Sequence, residues 1–209
     1  MSTTLDMTTM YAMHDALRRE TEYLARVTAR VDGDPRAVLR TAAGWDLFKT
    51  SLHVHHTAED HALWPVLRQA LADRPADLTL LEAMEAEHAA INQVIEAIDA
   101  ALAHSEIGMD RLGDLTDSLV TGLTGHLRHE EEQALPVIQA VITEEQWAHF
   151  GQIHTQWIGG DASRILPWLL DGASEQVITT ILAPLPEPIF RAYQDQWRPA
   201  YLALVRPGD

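Results

Sequence analysis

The sequence has no cysteine among its 209 residues. Disulfide bonds, thiolate nucleophiles, iron–sulfur clusters and thiolate-bound zinc are therefore excluded together. Strand-forming residues are also sparse, whereas Ala, Leu and Glu are plentiful and apolar residues recur at helical spacing. These features predict an all-α fold.

Basic residues are few. The sequence has 15 lysines and arginines but 31 aspartates and glutamates, which gives a formal net charge of −16. A chain this acidic is repelled by nucleic acids and by anionic lipid surfaces. No apolar run approaches the ~20 residues needed to cross a bilayer. The opening MSTTLDMTTM has neither the basic start nor the apolar run of a secretory signal. We therefore expect a cytoplasmic protein that binds no nucleic acid and no membrane.

Four long helical segments are predicted between turn signals, over about residues 8–31, 35–72, 78–103 and 108–141. Bends are expected at Gly44, Pro65 and Pro136. The short connections favour an antiparallel up-down-up-down four-helix bundle, which we assign to residues 1–145. Residues 146–209 contain four of the six tryptophans. We interpret them as a helical C-terminal extension that packs on the bundle or on a second subunit.

Histidine is unusually abundant, with 11 residues. The apolar stripe of each predicted helix advances by alternating steps of three and four and is interrupted by one histidine: His14, His55, His88 and His126. Two stripes also carry a glutamate one turn later, Glu59 and Glu130. The second stripe is expected to continue through Ala62 and Val66, and the fourth through Ala134 and Val137. We expect four further histidines, His53, His104, His149 and His154, at the surface.

The two halves of the bundle repeat each other. His55, Glu59 and Pro65 recur 71 residues later as His126, Glu130 and Pro136. Two helical hairpins related by a pseudo-twofold axis would bring four histidines and two glutamates to one level of the core.

A glutamate buried in such a stripe costs several kcal/mol unless a cation compensates its charge. Nitrogen and carboxylate ligands suit a pair of iron or manganese ions. We expect Glu59 and Glu130 to bridge two ions, with His14 and His55 on one and His88 and His126 on the other. A single zinc ion is the weaker alternative, because it would leave half of these ligands unused.

Four segments together resemble the hemerythrin-like (HHE cation-binding) family over residues 1–145. They are Met13-His14-Asp15, HHTAEDHALWPVL (55–67), Glu87-His88-Ala89-Ala90-Ile91 and HLRHEEEQALPVI (126–138). The resemblance implies an antiparallel bundle around a carboxylate-bridged di-iron site, with an oxo, hydroxo or water bridge, that binds or activates dioxygen.

The sequence departs from the oxygen-carrying members of that family at Met84, where they have a fifth histidine. Their fourth-helix carboxylate is an aspartate five residues after the histidine, whereas Glu130 lies four residues after His126. The missing nitrogen leaves room for exogenous ligands, which favours a reactive site over a carrier. Tyr11 and Glu85 are candidates for an extra oxygen ligand. His56, His61, His129 and Tyr11 are candidates for orienting ligands or passing protons.

The leading functional hypothesis is an oxidoreductase of the oxidase, peroxidase or catalase kind, acting with O2 or H2O2 and, in the oxidase case, on a small-molecule substrate. The alternative is a non-catalytic protein that senses or stores oxygen, nitric oxide or iron. A third and weaker hypothesis is an interaction module with a structural metal. The extension is a candidate for a roof over the metal pocket or for a homodimer interface.

Overall fold

The computed structural model describes residues 4–28, 43–103 and 109–205, and these residues are all-helical, with no β-strand among them. The α-helices of the first part are α1 (Thr8–Thr28), α2 (Ala43–Ala58), α3 (Trp64–Ala70), α4 (Pro75–Ala103), α5 (Met109–His129) and α6 (Leu135–Val141). Those that follow are α7 (Glu144–Ile158), α8 (Ala162–Leu169), α9 (Glu175–Leu182), α10 (Glu187–Ala192) and α11 (Arg198–Val205).

The helix starts follow from local chemistry. Before α7, Thr143 and Gln146 form a reciprocal capping box: the Thr143 backbone N–H donates to the Gln146 side chain at 2.9 Å, and the Gln146 N–H donates to the Thr143 hydroxyl at 3.2 Å. Pro75 opens α4, where its missing N–H leaves no helical hydrogen bond unmade. Ser174 caps α9 by accepting from the Val177 N–H.

Three π-helical turns lie among the described residues. The last is Tyr193–Trp197, and the first two, Glu59–Leu63 and Glu130–Ala134, each begin at a glutamate. In each of these two, the carbonyl of the glutamate accepts from the N–H five residues later, Trp64 or Leu135. A proline lies two residues after each of these turns, Pro65 or Pro136, and its ring would press on a carbonyl in a regular α-helix. The wider turn accommodates that proline, so a π-turn precedes each of the prolines at which a bend was predicted.

Each of the first two π-turns shifts the buried face by one residue. After the first, Leu63 and Leu67 are fully buried, while Ala62 and Val66 are only partly covered. After the second, Ala134 is buried as expected, but Ile138 takes the place predicted for Val137. The predicted stripe of the second helix was therefore wrong beyond Glu59, and that of the fourth helix was wrong beyond Ala134, because a period of 3.6 residues does not include the added residue.

The chain divides into two compact units. The first comprises Met1–Leu5 and Arg18–Trp157, and the second comprises Asp6–Leu17 and Ile158–Asp209. In the first unit, α4 packs along α5, and α3 packs on α4 and α6. Lys49 and the indole N–H of Trp45 both bind the Asp99 carboxylate, at 2.8 to 2.9 Å, and join α2 to α4. The division predicted after residue 145 stays a prediction.

The second unit combines the start of α1 with the C-terminal helices. Asp6 accepts the Thr8 backbone N–H at 2.9 Å and so satisfies one free donor at the start of α1. The α1 stripe Met7, Met10, His14 and Leu17 is buried, as predicted, and so are Ile165, Trp168 and Tyr193 of the C-terminal part. Gly172 adopts φ 76° in the turn after α8, a conformation that glycine tolerates without strain.

The predicted helix boundaries lie close to those of the structure wherever it describes them, with two differences: α3 ends at Ala70 rather than at about residue 72, and α4 begins at Pro75 rather than at about residue 78. The turn predicted at Asp32–Pro35, the start of the second predicted helix and His104 lie outside the described residues. Over the parts of the chain that are described, none of the helices has the length and apolarity required to cross a bilayer.

Candidate metal centre

The candidate centre in the first unit is built on two His-x-x-x-Glu pairs. His55 and Glu59 lie one turn apart at the end of α2, and His126 and Glu130 lie one turn apart at the end of α5. The i, i+4 spacing places both members of a pair on one helix face. All four side chains are buried, with no more than 2% of either histidine exposed and neither glutamate exposed at all.

His88 of α4 joins these pairs. Its Nε2 lies 3.5 Å from one oxygen of Glu59, and the Nε2 of His55 lies 3.4 Å from the other. The Nε2 of His126 lies 3.9 Å from Glu130. Three helical segments therefore direct imidazole nitrogens toward two buried carboxylates.

Two further carboxylates fix the histidine rings from the outside. The Nδ1–H of His88 donates to Asp60 at 2.8 Å, and the Nδ1–H of His126 donates to Glu87 at 2.9 Å. With Nδ1 protonated, the neutral ring presents the lone pair of Nε2 to the interior. This arrangement of carboxylate, histidine and free nitrogen is typical of metal-binding histidines.

Burial and charge shape the titration of these groups. Burial raises the pKa of Glu59 well above its usual value of 4.5, and the nearby charges of Glu130 and Asp60 raise the pKa further. Burial lowers the pKa of His126, against the opposing effect of Glu87. For Glu87, burial acts to raise the pKa, but the hydrogen bonds from His126 and His129 prevail and lower the pKa. The imidazole of His126 is thus held neutral while its outer partner stays ionised.

The donor set fits a cation. Among the described residues, neither carboxylate oxygen of Glu59 has a hydrogen-bond partner, and the same is true of Nε2 in His88 and His126. Buried acceptors without a donor cost ~1–3 kcal/mol each, and more when they carry a charge. A metal ion would accept all of these lone pairs at once, so these residues fit the metal centre that the sequence pattern predicts.

The ligand atoms fall into two groups within the first unit. His55, Glu59 and Glu130 each offer an atom within 4.8 Å of the other two. His56, His88 and His126 form the second group by the same criterion. The second group contains His88 and His126, as expected, and also His56, which the sequence suggested only as an outer residue.

Three further candidate ligands were predicted from the sequence, His14, Tyr11 and Glu85. His14 is fully buried on α1 in the second unit, so its place on the His55 ion stays a prediction. Tyr11, in the same unit, is 44% exposed. Glu85 of α4 forms an ion pair with Arg68 and belongs to neither group of candidate ligands in the described residues.

Other histidines lie around the centre. His129 donates through Nδ1 to Glu87 at 2.8 Å and also lines a surface cavity of about 500 Å³ with Arg128 and Glu132. The ring of His61 lies 5.4 Å from that of Trp157. His53 and His149 are exposed, as expected.

His154 of α7 corrects the sequence interpretation, since it is half-buried rather than exposed. Burial lowers its pKa to about 4, and its ring meets that of His55 edge to face at 6.1 Å. The apolar spacing of α7 gave no sign that this histidine approaches the centre.

The comparison with protein families agrees with this site. The family model for the hemerythrin HHE cation binding domain matches residues 6–138, which is well over half of the chain. The chain belongs to the hemerythrin HHE cation-binding family. No curated protein and no solved structure matches it.

Proposed function

We propose that this protein holds two iron ions in a carboxylate-bridged centre inside an antiparallel four-helix bundle, and that it is an oxidoreductase acting with O2 or H2O2. The observation that carries the proposal is the convergence of three buried histidines on two buried carboxylates; two of these histidines are held from outside by Asp60 and Glu87. Oxygen and nitrogen ligands of this kind suit iron, with manganese and zinc as weaker candidates. Two bound iron ions would supply the redox chemistry toward dioxygen or peroxide.

The protein's own residues would have different roles at this centre. Glu59 and Glu130 would hold both ions, His14 and His55 would bind one, and His88 and His126 would bind the other. Asp60 and Glu87 keep the rings of His88 and His126 oriented and their Nδ1 atoms protonated. The buried apolar side chains Leu52, Met84 and Leu123 exclude bulk water from the helices that carry these ligands.

Met84 favours a centre that reacts with oxygen over one that only carries it. It is fully buried one turn before His88, at the position where the oxygen carriers of this family have another histidine. A thioether is a poor ligand for ferric iron, so this position leaves room for a small exogenous ligand. Nitric oxide would be a further small ligand of such a site. The alternative function is a non-catalytic sensor or store of oxygen, nitric oxide or iron.

The test joins metal analysis to turnover. Purified protein should contain two iron ions per chain and consume H2O2 catalytically, or O2 when a reducing substrate is present. Glu130→Gln should lose both ions and all turnover, because this residue serves both. Glu132→Gln, at an exposed glutamate in the same π-turn, is the matched control and should change neither.

Two results would contradict the proposal. Protein with a full complement of zinc and no iron after expression with both metals available would remove the di-iron centre. Protein with two iron ions that binds O2 reversibly and consumes no peroxide would be a carrier or a sensor.

A further inference from the structure

His56 is adjacent in sequence to His55 but belongs to a different group of ligands. Its side chain is buried, with 2% exposed, and the rings of the two neighbours are 5.8 Å apart. His55 offers its nitrogen beside Glu59 and Glu130, whereas His56 offers one beside His88 and His126. Consecutive residues of a helix project about 100° apart, so two neighbouring residues of one helix can belong to two different groups of ligands.

The second group contains only imidazoles. The ring of His56 stacks on that of His88 with centroids 3.8 Å apart and planes inclined by 7°. It meets the ring of His126 edge to face at 5.1 Å, and His88 meets His126 in the same manner at 4.7 Å. Three buried imidazoles therefore approach one another from three helices. The carboxylate oxygens nearest to them are those of Glu59, 3.5 Å from Nε2 of His88, and of Glu130, 3.9 Å from Nε2 of His126.

The outer hydrogen bonds determine which nitrogens face that volume. Asp60 and Glu87 engage Nδ1 of His88 and His126, so each of these rings presents its Nε2 inward. Both Nε2 atoms are buried and make no hydrogen bond with any described residue. Three imidazole nitrogens that lie within 4.8 Å of one another can form the ligand set of a nitrogen-rich metal site.

We infer that His56 is a metal ligand, so that one ion of the proposed centre is bound by His56, His88 and His126. The inference rests on the proposed function and deepens it, because the two ions then have unlike surroundings. The ion at His56 carries three nitrogens, and the ion at His55 carries more carboxylate oxygen. The third nitrogen comes from the second helix of the predicted bundle, whereas the oxygen carriers of this family take theirs from the position of Met84.

The competing explanation is that His56 only packs against His88. The substitution His56→Phe distinguishes metal binding from packing, since phenylalanine keeps a flat ring for stacking but offers no nitrogen. His53→Phe makes the same change at an exposed position one turn earlier on α2 and is the matched control. Circular dichroism and thermal melting establish that each variant is folded.

Iron binding is then measured by anaerobic titration with Fe²⁺ and elemental analysis. Wild type and His53→Phe should bind two ions. His56→Phe should keep one ion, and its second should bind at least ~10-fold more weakly, since losing even an outer partner of a ligand costs ~10–100-fold. Equal binding of two ions by His56→Phe and wild type overturns the role of His56 and leaves the di-iron proposal standing. Wild type that binds no iron ends both.

A second variant and a second measurement keep the inference testable. If His56→Ala loses an ion that His56→Phe retains, the residue acts by stacking, and the inference is wrong. In the wild-type protein loaded with ⁵⁷Fe²⁺, Mössbauer spectra should show two quadrupole doublets of equal area, one for each ligand set. A single doublet would mean equivalent ions and would overturn the inference even if no His56 variant folds.

Discussion

The Nδ1–H of His126 donates a 2.9 Å hydrogen bond to one carboxylate oxygen of Glu87. The other oxygen of Glu87 accepts from His129 at 2.8 Å. One carboxylate therefore fixes a histidine that faces the interior and a second one that lines a surface cavity. Because both oxygens are used as acceptors, an ionised carboxylate satisfies both donors, and an amide cannot.

Glu87→Gln tests this orientation. The amide can accept at only one position, so one histidine must turn or change tautomer. We expect the affinity for iron to fall ~10–100-fold with the fold preserved, the range usual for lost outer partners of metal ligands. Competition with a chelator of known affinity measures the change. Glu85→Gln is the control on the same helix, because Glu85 pairs with Arg68. An equal loss of affinity in both variants would show a general effect on α4.

Removal of the metal should make the stability of the protein depend on pH through Glu59. Its folded pKa lies well above the usual 4.5. A raised folded pKa gives stability that is complete below the unfolded pKa and is lost as the pH rises through the folded pKa. Metal-free wild type should therefore melt lower as the pH increases from about 4.5.

Metal-free Glu59→Gln lacks this ionisation, so it should melt above metal-free wild type at pH 8 and close to it near pH 4.5. Burial lowers the pKa of His126, which has the opposite pH dependence, but this contribution is common to both proteins. Scanning calorimetry across this range measures the difference. In the presence of Fe²⁺ the order should reverse, because only wild type gains binding energy. A pH-independent difference between the metal-free proteins would contradict the assignment to Glu59.

The sequence was sufficient for the helices, the family and the buried positions of both His-x-x-x-Glu pairs, because apolar periodicity and a repeated motif specify these directly. It did not predict the one-residue shift after Glu59 and Glu130, since a π-turn leaves no trace in a 3.6-residue period. The proline six residues after each glutamate was the available signal. No role was predicted for Asp60 and Glu87, because only the packing of other helices brings His88 and His126 beside them.

The C-terminal region should stabilise the start of α1. Residues 6–17 and 158–209 form one compact unit, in which Met10, Met13 and Trp168 are buried. Truncation after Trp157 removes the larger part of that unit, so we expect apolar surface to become exposed and the melting temperature to fall. Binding of a fluorescent apolar dye and calorimetry measure these effects.

The same truncation tests the proposed role of His14, which lies in that unit. In the full-length protein, His14→Ala should weaken the binding of one iron ion. In the truncated protein, the same substitution should have a smaller effect, because the segment that holds His14 is already loosened. A truncated protein with the melting temperature and iron content of the full chain would show that the C-terminal region is dispensable.

Met84 should decide how fast the centre reacts. Its side chain is fully buried on α4, one turn before His88 and on the same helix face. An imidazole at this position would add a nitrogen donor beside those of His88 and compete with exogenous ligands. We therefore expect Met84→His to retain iron but to consume H2O2 at least ~10-fold more slowly, equivalent to about 1.4 kcal/mol in the barrier.

Met84→Leu is the control, because it conserves volume and offers no nitrogen. Steady-state peroxide consumption at equal iron content compares the three proteins. If Met84→His reacts as fast as wild type, or if Met84→Leu slows as much, the thioether position does not control access to the centre.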